Sequence, residues 1–589
     1  MLQLRKPYAL LLVILTVLSV YYSAIFAELL SIDDQRMIDG LLNLDDFSLK
    51  SLFFPGGSYY YRPLLYLSFI ADNYLWGAHQ SFMHLENVLL HAANAALVYL
   101  IALKISKMQG NSSTAVPLVA ALLFALHPIA TEPINWISGR TDLLAGLFVL
   151  ISCHLLLLSL DNGSKAILAV SALSFFISPL TKETAIFWYP AAMFLVYAVS
   201  RNKDLSFPRE LLQSIRSRFL YYLAITSAPV GYFTLRHFAL KTYDSGIGLA
   251  LKGVVQSQDN DIFNKVRISF KVFGFYLKKL LFPLPLNFTI LNASNWYVIV
   301  GIIGIILCLY LCYRRDIFSS LLLMSACIIS PALLVPLGRM ALAPIAERYL
   351  YMPAAFFSIA VVISVSGYLH DKNISPKITA SIAALLLLFC GYTTFKRNIV
   401  WQKNLTLFQD CVDQNPDCMV VRNELATALR NVGRNVEADR IYMGNRLPSS
   451  EKYSIVTEIN RAMTLLRNDD LNGAIALMKS VDCPESNPFY LNYLQTRIYL
   501  NDRLLGKTED PVKQNSLKRE NLDLTIRQQK ITGDPYGFYN LGRIAMGAGE
   551  TKLAIENFRL AVEKSPPKAF YKEPARKLAE RLGRELEKN

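Results

Sequence analysis

Charge is scarce in this 589-residue chain: Asp, Glu, Lys and Arg together make up 18 % of it, against about a quarter in an average soluble domain. Histidine is scarcer still, at seven residues. The eight cysteines include no CxxC pair and none stands at a zinc-ligand spacing from histidine, which excludes a zinc module and a disulfide-dense secreted scaffold. Five of them fall in or beside apolar runs and read as small buried side chains. Cys411 and Cys418 are left as a pair that would bridge if their domain faced an oxidising compartment. Acidic residues are the minority sign, 45 against 60 basic ones, a net charge of +15. Nucleic acid would explain that excess, but basic loops between membrane spans explain it with less, and no nucleic-acid partner is expected.

What the chain has instead is apolar surface: 53 % of its residues are hydrophobic and its mean hydropathy is +0.31. The excess falls in blocks of roughly 17–22 residues, the length of helix that crosses about 30 Å of hydrocarbon. These blocks lie near 7–29, 87–106, 115–131, 142–160, 165–181, 184–200, 219–238, 296–313, 317–337, 349–369 and 377–395, which makes about eleven spans. The first is too long for a signal peptide and lacks a small-x-small cleavage site, so it reads as a retained span entered from the cytoplasm. With that start the inner loops hold Lys104, Lys107, Lys165, Arg201, Lys203, Arg209, Arg216, Arg218, Arg314, Arg315, Lys372 and Lys377, as the positive-inside rule requires. Segment 263–283 is apolar but broken by Lys265, Arg267, Lys271, Lys278 and Lys279. It reads as an interfacial or re-entrant helix whose lysines snorkel to the surface.

The opposite ends of these spans carry a different mixture. Asp33, Asp34, Asp45, Asp46 and Arg62 stand in the first outer loop, and His84 and His91 at the outer end of the second span. His127, Glu132, Arg140 and Asp142 flank the next outer hairpin. Lys182 and Glu183 end the fifth span, and Arg339, Glu347 and Arg348 join the ninth to the tenth. Any one of these is most simply a polar span end. Together, carboxylates, imidazoles and guanidiniums gathered on one face make a reaction site rather than a lipid anchor. A carboxylate such as Asp33 or Asp34 suits a general base or a ligand for a divalent cation, magnesium or manganese. The planar fork of arginine suits a phosphate. A proton-coupled transporter would place its charges near the midplane instead.

Several short motifs carry a family resemblance. Ile32-Asp33-Asp34, Tyr60-Tyr61-Arg62-Pro63-Leu64 and the run from His84 to His91 are followed by Leu126-His127-Pro128, Thr131-Glu132 and Ser138-Gly139-Arg140. Lys182-Glu183 and Glu347-Arg348-Tyr349-Leu350-Tyr351 complete the series. In this order the chain resembles the transmembrane and tetratricopeptide-repeat O-mannosyltransferases and their bacterial relatives, which look like members of the GT-C glycosyltransferase superfamily. The resemblance implies a polyprenyl-phosphate-linked sugar donor, used on the outer or lumenal face, and a protein or glycan acceptor. It implies a catalytic base in the acidic pair after the first span, Asp34 or Asp33, assisted by Asp45 or Asp46. Arg62, Arg140, Lys182 and Arg348 are then expected to contact the donor phosphate. His84, His91, His127, Glu132, Asp142, Glu183 and Glu347 complete the polar face. The chain is much shorter than the animal members, which points to a bacterial protein.

From about residue 398 the composition turns polar and helical. Phe538, Leu541, Gly542, Ala545, Gly549, Ala554, Phe558, Ala561 and Pro566 occupy the large and small positions of a tetratricopeptide helix pair. The frame recurs at Leu425, Ala426, Leu429, Gly433, Ala438 and Tyr442, and in a degraded form through Ala462, Leu465, Leu471 and Ala474. Residues 569–588 read as a polar capping helix. The expectation is therefore an all-α protein, with a GT-C-like membrane domain at 1–397 and a tetratricopeptide-like α-solenoid at 398–589. An odd number of spans puts the solenoid in the periplasm, or in the lumen of the endoplasmic reticulum, where its concave face would take an acceptor or a partner protein. Two other readings compete: a non-catalytic membrane scaffold for an envelope complex, and a lipid-linked sugar transporter.

Overall fold

The computed structural model describes residues 5–35, 37–38, 48–56, 60–110, 113–201, 206–240, 261–338, 344–445, 454–566 and 569–588. Asp45, Asp46, Lys203 and Arg339 lie outside the described residues. The described residues are overwhelmingly helical and contain no strands, only two isolated bridges, Gly56 with Leu240 and Ile290 with Ile345. Two compact units divide the chain, Met1–Asn415 and Pro416–Asn589. The eight cysteines are all free, Cys411 and Cys418 included.

Every apolar block becomes a helix. In the first unit these are α1 (Lys6–Val20), α2 (Pro63–Trp76), α3 (Gln80–Met108), α4 (Ala115–Leu126), α5 (Arg140–Asn162) and α6 (Lys165–Ile177). They continue with α7 (Trp188–Ser200), α8 (Phe207–Ser217), α9 (Phe219–Ala239), α10 (Ile262–Leu281), α11 (Tyr297–Arg314) and α12 (Ile317–Ile329). The unit closes with α13 (Tyr351–Asp371), α14 (Pro376–Trp401) and α15 (Asn404–Gln414). The breaks between them follow local chemistry. Gly163 takes the left-handed φ of +71° after α5, and Ser164 caps α6 by accepting from the Ile167 amide, so two residues suffice to turn the chain.

By length and apolarity, six helical stretches among the described residues can cross a membrane, and the bent pair Ala115–Leu126 with Pro128–Asn135 makes a seventh. The chain is a multi-pass membrane protein. Its inner helices α3, α5 and α13 share one core, in which Trp188 stacks on Phe356 at 5.5 Å. Helices α11 and α14 lie at the periphery, where Ile299, Ile303, Ile306, Leu385 and Leu388 are exposed as lipid-facing side chains should be.

Helix α10 departs from its expectation. It crosses α11 at glycines, where a β-carbon on Gly274 would stand 2.0 Å from the Tyr297 carbonyl oxygen. Lys271 and Lys279 on this helix are buried, so they do not snorkel. Lys271 instead donates to Asn292 Oδ1 (2.7 Å), and Lys279 pairs with Glu347 (2.5 Å).

The second unit is a run of helix pairs: α16 (Met419–Asn431) with α17 (Asn435–Gly444), α18 (Ser454–Arg467) with α19 (Leu471–Ser480), α20 (Tyr490–Leu505) with α21 (Pro511–Thr532), and α22 (Pro535–Gly547) with α23 (Thr551–Lys564), followed by α24 (Lys572–Lys588). Three pairs share one turn. Gly433, Asp469 and Gly549 have φ of +83°, +62° and +83°. The following amides, of Arg434, Asp470 and Glu550, each reach back 2.9 Å to a carbonyl five residues earlier, closing the first helix as a Schellman turn does. Gly542 is small because the Phe558 ring fills its place: an added β-carbon would lie 2.7 Å from it.

Candidate active site

The first loop is held by residues some 375 positions away. Glu28 N donates to Gln402 O (2.9 Å), Gln402 Nε2 to Ser23 O (3.2 Å) and Asn398 Nδ2 to Val20 O (3.0 Å). Asn404 closes the clasp: its amide donates to Glu28 Oε2 (2.9 Å), its Nδ2 to Leu29 O (2.8 Å), and its Oδ1 accepts from Ser31 N (3.3 Å). Asp33 and Asp34 follow directly, and their surroundings differ. Asp34 is fully buried; it accepts from Leu30 N (3.2 Å), Ser138 N (3.0 Å) and Ser138 Oγ (2.7 Å). Burial pushes its carboxyl up to about 6 although the Ser138 donors favour the charged form. Asp33 lines a cavity.

That cavity, of about 760 Å³, is floored by the turn before α5. Gly139 makes the turn possible by close approach, since a β-carbon there would stand 2.6 Å from the Pro133 carbonyl oxygen. Its walls carry Asp33, Arg62, Asp142, Lys182 and Arg348, with the rings of Tyr60, Trp136 and Tyr349 between them. Each wall cation has a carboxylate partner. Arg62 Nε donates to Glu183 Oε2 (2.9 Å), Lys182 Nζ to Asp142 Oδ1 (2.5 Å) and Arg348 Nη1 to Glu132 Oε1 (2.5 Å). Aromatic faces hold the same cations from the side. Arg62 lies 4.0 Å from the Tyr60 centroid, Arg348 5.0 Å from Trp136 and 5.1 Å from Tyr349, and Lys182 5.4 Å from Tyr349. Among the described residues Arg62 and Arg348 are each held through one guanidinium nitrogen, so their other N–H groups remain for a ligand. A phosphate fits that fork geometry. The second oxygen of Asp142 is buried without a hydrogen-bond partner among the described residues.

The other anticipated residues stand elsewhere. Arg140 is 1 % exposed, against 18 % for Arg62 and 16 % for Arg348, and is not on the cavity wall. It is spent on Asp72 (2.6 Å), Glu86 (3.1 Å), Asn87 Oδ1 (3.1 Å) and Met83 O (3.0 Å), over the Phe69 ring. His91 bridges Tyr351 Oη (2.9 Å) and Ala125 O (3.1 Å), and His127 reaches Leu280 O (3.2 Å). His84 is buried next to Arg140. All three are core histidines, and His91 and His127 tie neighbouring segments together. Glu132 and Glu183 sit behind the wall as partners of Arg348 and Arg62, and Glu347 is taken by Lys279 and the Asn287 amide (3.0 Å).

As a centre for magnesium or manganese the residues do not fit. Among the described residues no three His, Cys, Asp or Glu side chains gather, and both oxygens of Asp34 already accept protein hydrogen bonds. Asp72, Ser138, Tyr60 and Tyr349 belong to the site or its support and escaped the sequence reading as individual participants. The signal for Ser138 was its place in the Ser138-Gly139-Arg140 motif. Asp72 gave none, because its partner stands 68 residues later.

A polytopic membrane unit with a charged and aromatic cavity, on a chain that continues into helical repeats, defines a class that comparison with known proteins narrows. No family model matches the chain. It is similar to protein O-mannosyl-transferase TMTC3 of Homo sapiens, with 26 % identity over 412 residues, 63 % of this chain and 42 % of that protein. Against protein O-mannosyl-transferase TMTC1 of Homo sapiens the identity is 26 % over 422 residues, 64 % of this chain and 47 % of that protein. A stretch of 109 residues, 18 % of this chain, is 42 % identical to protein O-mannosyl-transferase tmtc2 of Xenopus laevis, of which it covers 12 %. The relatives of this chain are thus TMTC protein O-mannosyl-transferases, and it spans less than half the length of these three.

Proposed function

We propose that the protein is an integral-membrane glycosyltransferase that moves a sugar, mannose by its relatives' names, from a polyprenyl-phosphate donor to an acceptor hydroxyl. The observation that carries this reading is one cavity wall shared by the Asp33 carboxylate and the cations Arg62, Lys182 and Arg348. The acceptor hydroxyl gives its proton to Asp33 as its oxygen forms a bond to the sugar C1. The bond from C1 to the phosphate oxygen breaks, and the phosphate leaves with the electron pair. Arginine N–H groups and the Lys182 ammonium stabilise that leaving charge. The aromatic rings between the cations pack against them and fix their positions on the wall. Asp34 then acts as a positioning residue, fastening the loop to Ser138. On this reading the donor is used on the outer or lumenal side, and the acceptor is a protein or glycan hydroxyl.

The test is transfer from polyprenyl-phosphate-mannose to a peptide library by purified protein in detergent. Asp33→Asn is expected to lower kcat by about 10²–10⁴, the usual worth of a general base, with little change in KM for the donor. Arg348→Gln is expected to raise KM for the donor and lower kcat together. Unaltered transfer by Asp33→Asn would sink the assignment of the base. Absence of transfer by the wild type from any polyprenyl-phosphate sugar would sink the reaction itself.

A further inference from the structure

A second large cavity of the membrane unit, of about 790 Å³, shares no wall residue with the charged one. It lies under α8, whose sequence is amphipathic. Phe207, Leu211 and Ile215, spaced by four, face the cavity, while Arg209 and Arg216 are exposed on other faces. Two polar residues, also four apart, hold α8 in place. Glu210 pairs with Arg201 (2.9 Å) and Arg315 (3.1 Å). Ser214 Oγ meets Ser200 Oγ (2.7 Å) and Tyr222 Oη (2.9 Å). Pinned at these points, the helix spans a groove instead of settling onto α7 and α9. The groove is open at its side, and its volume is that of a small-molecule site.

The wall is apolar and aromatic except for Thr226, Cys312 and Arg315. Arg315 stands at a position with φ of +57°, a conformation that favours glycine, and the turn still carries a long cationic side chain into the groove. Its Nη1 serves Tyr197 Oη (3.2 Å) and Glu210, its Nε serves Tyr313 O (3.0 Å), and its Nη2 has no protein partner among the described residues. The stretches 201–218 and 314–316 together hold six arginines and Lys203 against three carboxylates, Asp204, Glu210 and Asp316.

We propose that this groove binds an anionic glycerophospholipid of the surrounding leaflet, one acyl chain along the aromatic walls and the phosphate at Arg315. Charge complementarity selects the headgroup: a zwitterionic lipid would bring its own cation against the surplus of arginines, whereas an anionic one relieves it. The groove is open towards lipid along Leu211, Phe219 and Leu223, which are 37 %, 57 % and 53 % exposed, so a chain enters laterally. This site does not depend on the proposed sugar transfer.

The experiment is native mass spectrometry of the full chain in detergent, titrated with dioleoyl phosphatidylglycerol or dioleoyl phosphatidylcholine. One phosphatidylglycerol is expected to stay bound at about tenfold lower concentration than phosphatidylcholine. Met193→Trp, which fills the groove, and Leu211→Trp, which fills it from an exposed helix, should each weaken retention by about tenfold. Arg315→Gln should bring the two lipids together, and Arg315→Lys should keep them apart. Equal retention of both lipids by the wild type would overturn the proposal, as would undiminished phosphatidylglycerol binding by both tryptophan variants. Displacement of the bound lipid by one equivalent of polyprenyl phosphate would assign the groove to that lipid instead.

Discussion

The two units bury polar groups by opposite rules. In the membrane unit buried charges meet across long stretches of chain: Arg140 with Asp72, Lys182 with Asp142, Lys279 with Glu347, Arg348 with Glu132. In the repeat unit the buried polar groups are mostly amides. Asn445 Nδ2 donates to Asn423 Oδ1 (2.7 Å) and Asn501 Nδ2 to Asn521 Oδ1 (3.1 Å), between neighbouring helices. Its ion pairs, such as Arg434 with Glu437 and Arg576 with Glu573, are mainly local and exposed. A buried ion pair is a poor way to gain stability, because desolvation consumes most of the Coulomb energy. Their concentration in one unit therefore marks where charge serves something other than folding.

That contrast can be broken at several points. The largest loss of stability is expected from Arg140→Met, which leaves Asp72 buried and unpaired and should cost about 3–5 kcal/mol, read as the unfolding midpoint in detergent. An Arg140→Met protein as stable as the wild type would show that the pair is replaceable by packing. Next comes Asp34. Its carboxyl titrates near 6 when folded and near 3.9 in a model peptide, so the folded state binds the extra proton. The cost of ionising it is present above pH 6 and is relieved as the pH falls from about 6 to 4. Between pH 4 and pH 7 Asp34→Asn should therefore gain on the wild type by up to about 3 kcal/mol, on top of a pH-independent loss for the acceptor its amide nitrogen removes. The pH-dependent part should vanish by pH 4, and an unchanging difference across the range would refute the assignment.

Gly542→Val should cost about 1–3 kcal/mol by forcing Phe558 aside, with proteolysis of the repeat unit as the readout and the membrane unit unaffected. The smallest effect belongs to Arg434→Ala: its pair with Glu437 is exposed, and the midpoint should not move.

How much of this was legible in the sequence follows the same divide. The apolar helices of the membrane unit were legible from hydropathy, though among the described residues six or seven rather than all eleven blocks reach the length and apolarity of a span, and α2, α8 and α15 gave no such block. The charged residues were legible as a set, since six separate stretches place them at span ends. Their pairing was not. Nothing near Arg140 distinguishes it from Arg62 or Arg348 until Asp72 and Glu86 close around it in three dimensions. The histidines were misjudged in the same way: His91 looked like site chemistry and proves to be a strut to Tyr351. In the repeat unit three helix pairs were visible through their frame of large and small residues, and in the structure all three share one turn, even where Asp469 stands in place of glycine. The pair α20 with α21 was missed because its connection runs through Gly506 to Pro511 without that turn, and α21 lacks the small-residue frame.

The clasp made by Asn398, Gln402 and Asn404 has a bearing on biosynthesis. The segment it fixes, residues 20–31, leaves the ribosome early, whereas its partners emerge some 373–379 residues later. At about 5–20 residues per second that is a wait of roughly 20–75 seconds. Through it the aspartate loop has been made but not set in place, and a nascent chain stopped before residue 398 has inserted most of its membrane helices without this anchor. The loop is fastened only once the end of α14 and the start of α15 have been made.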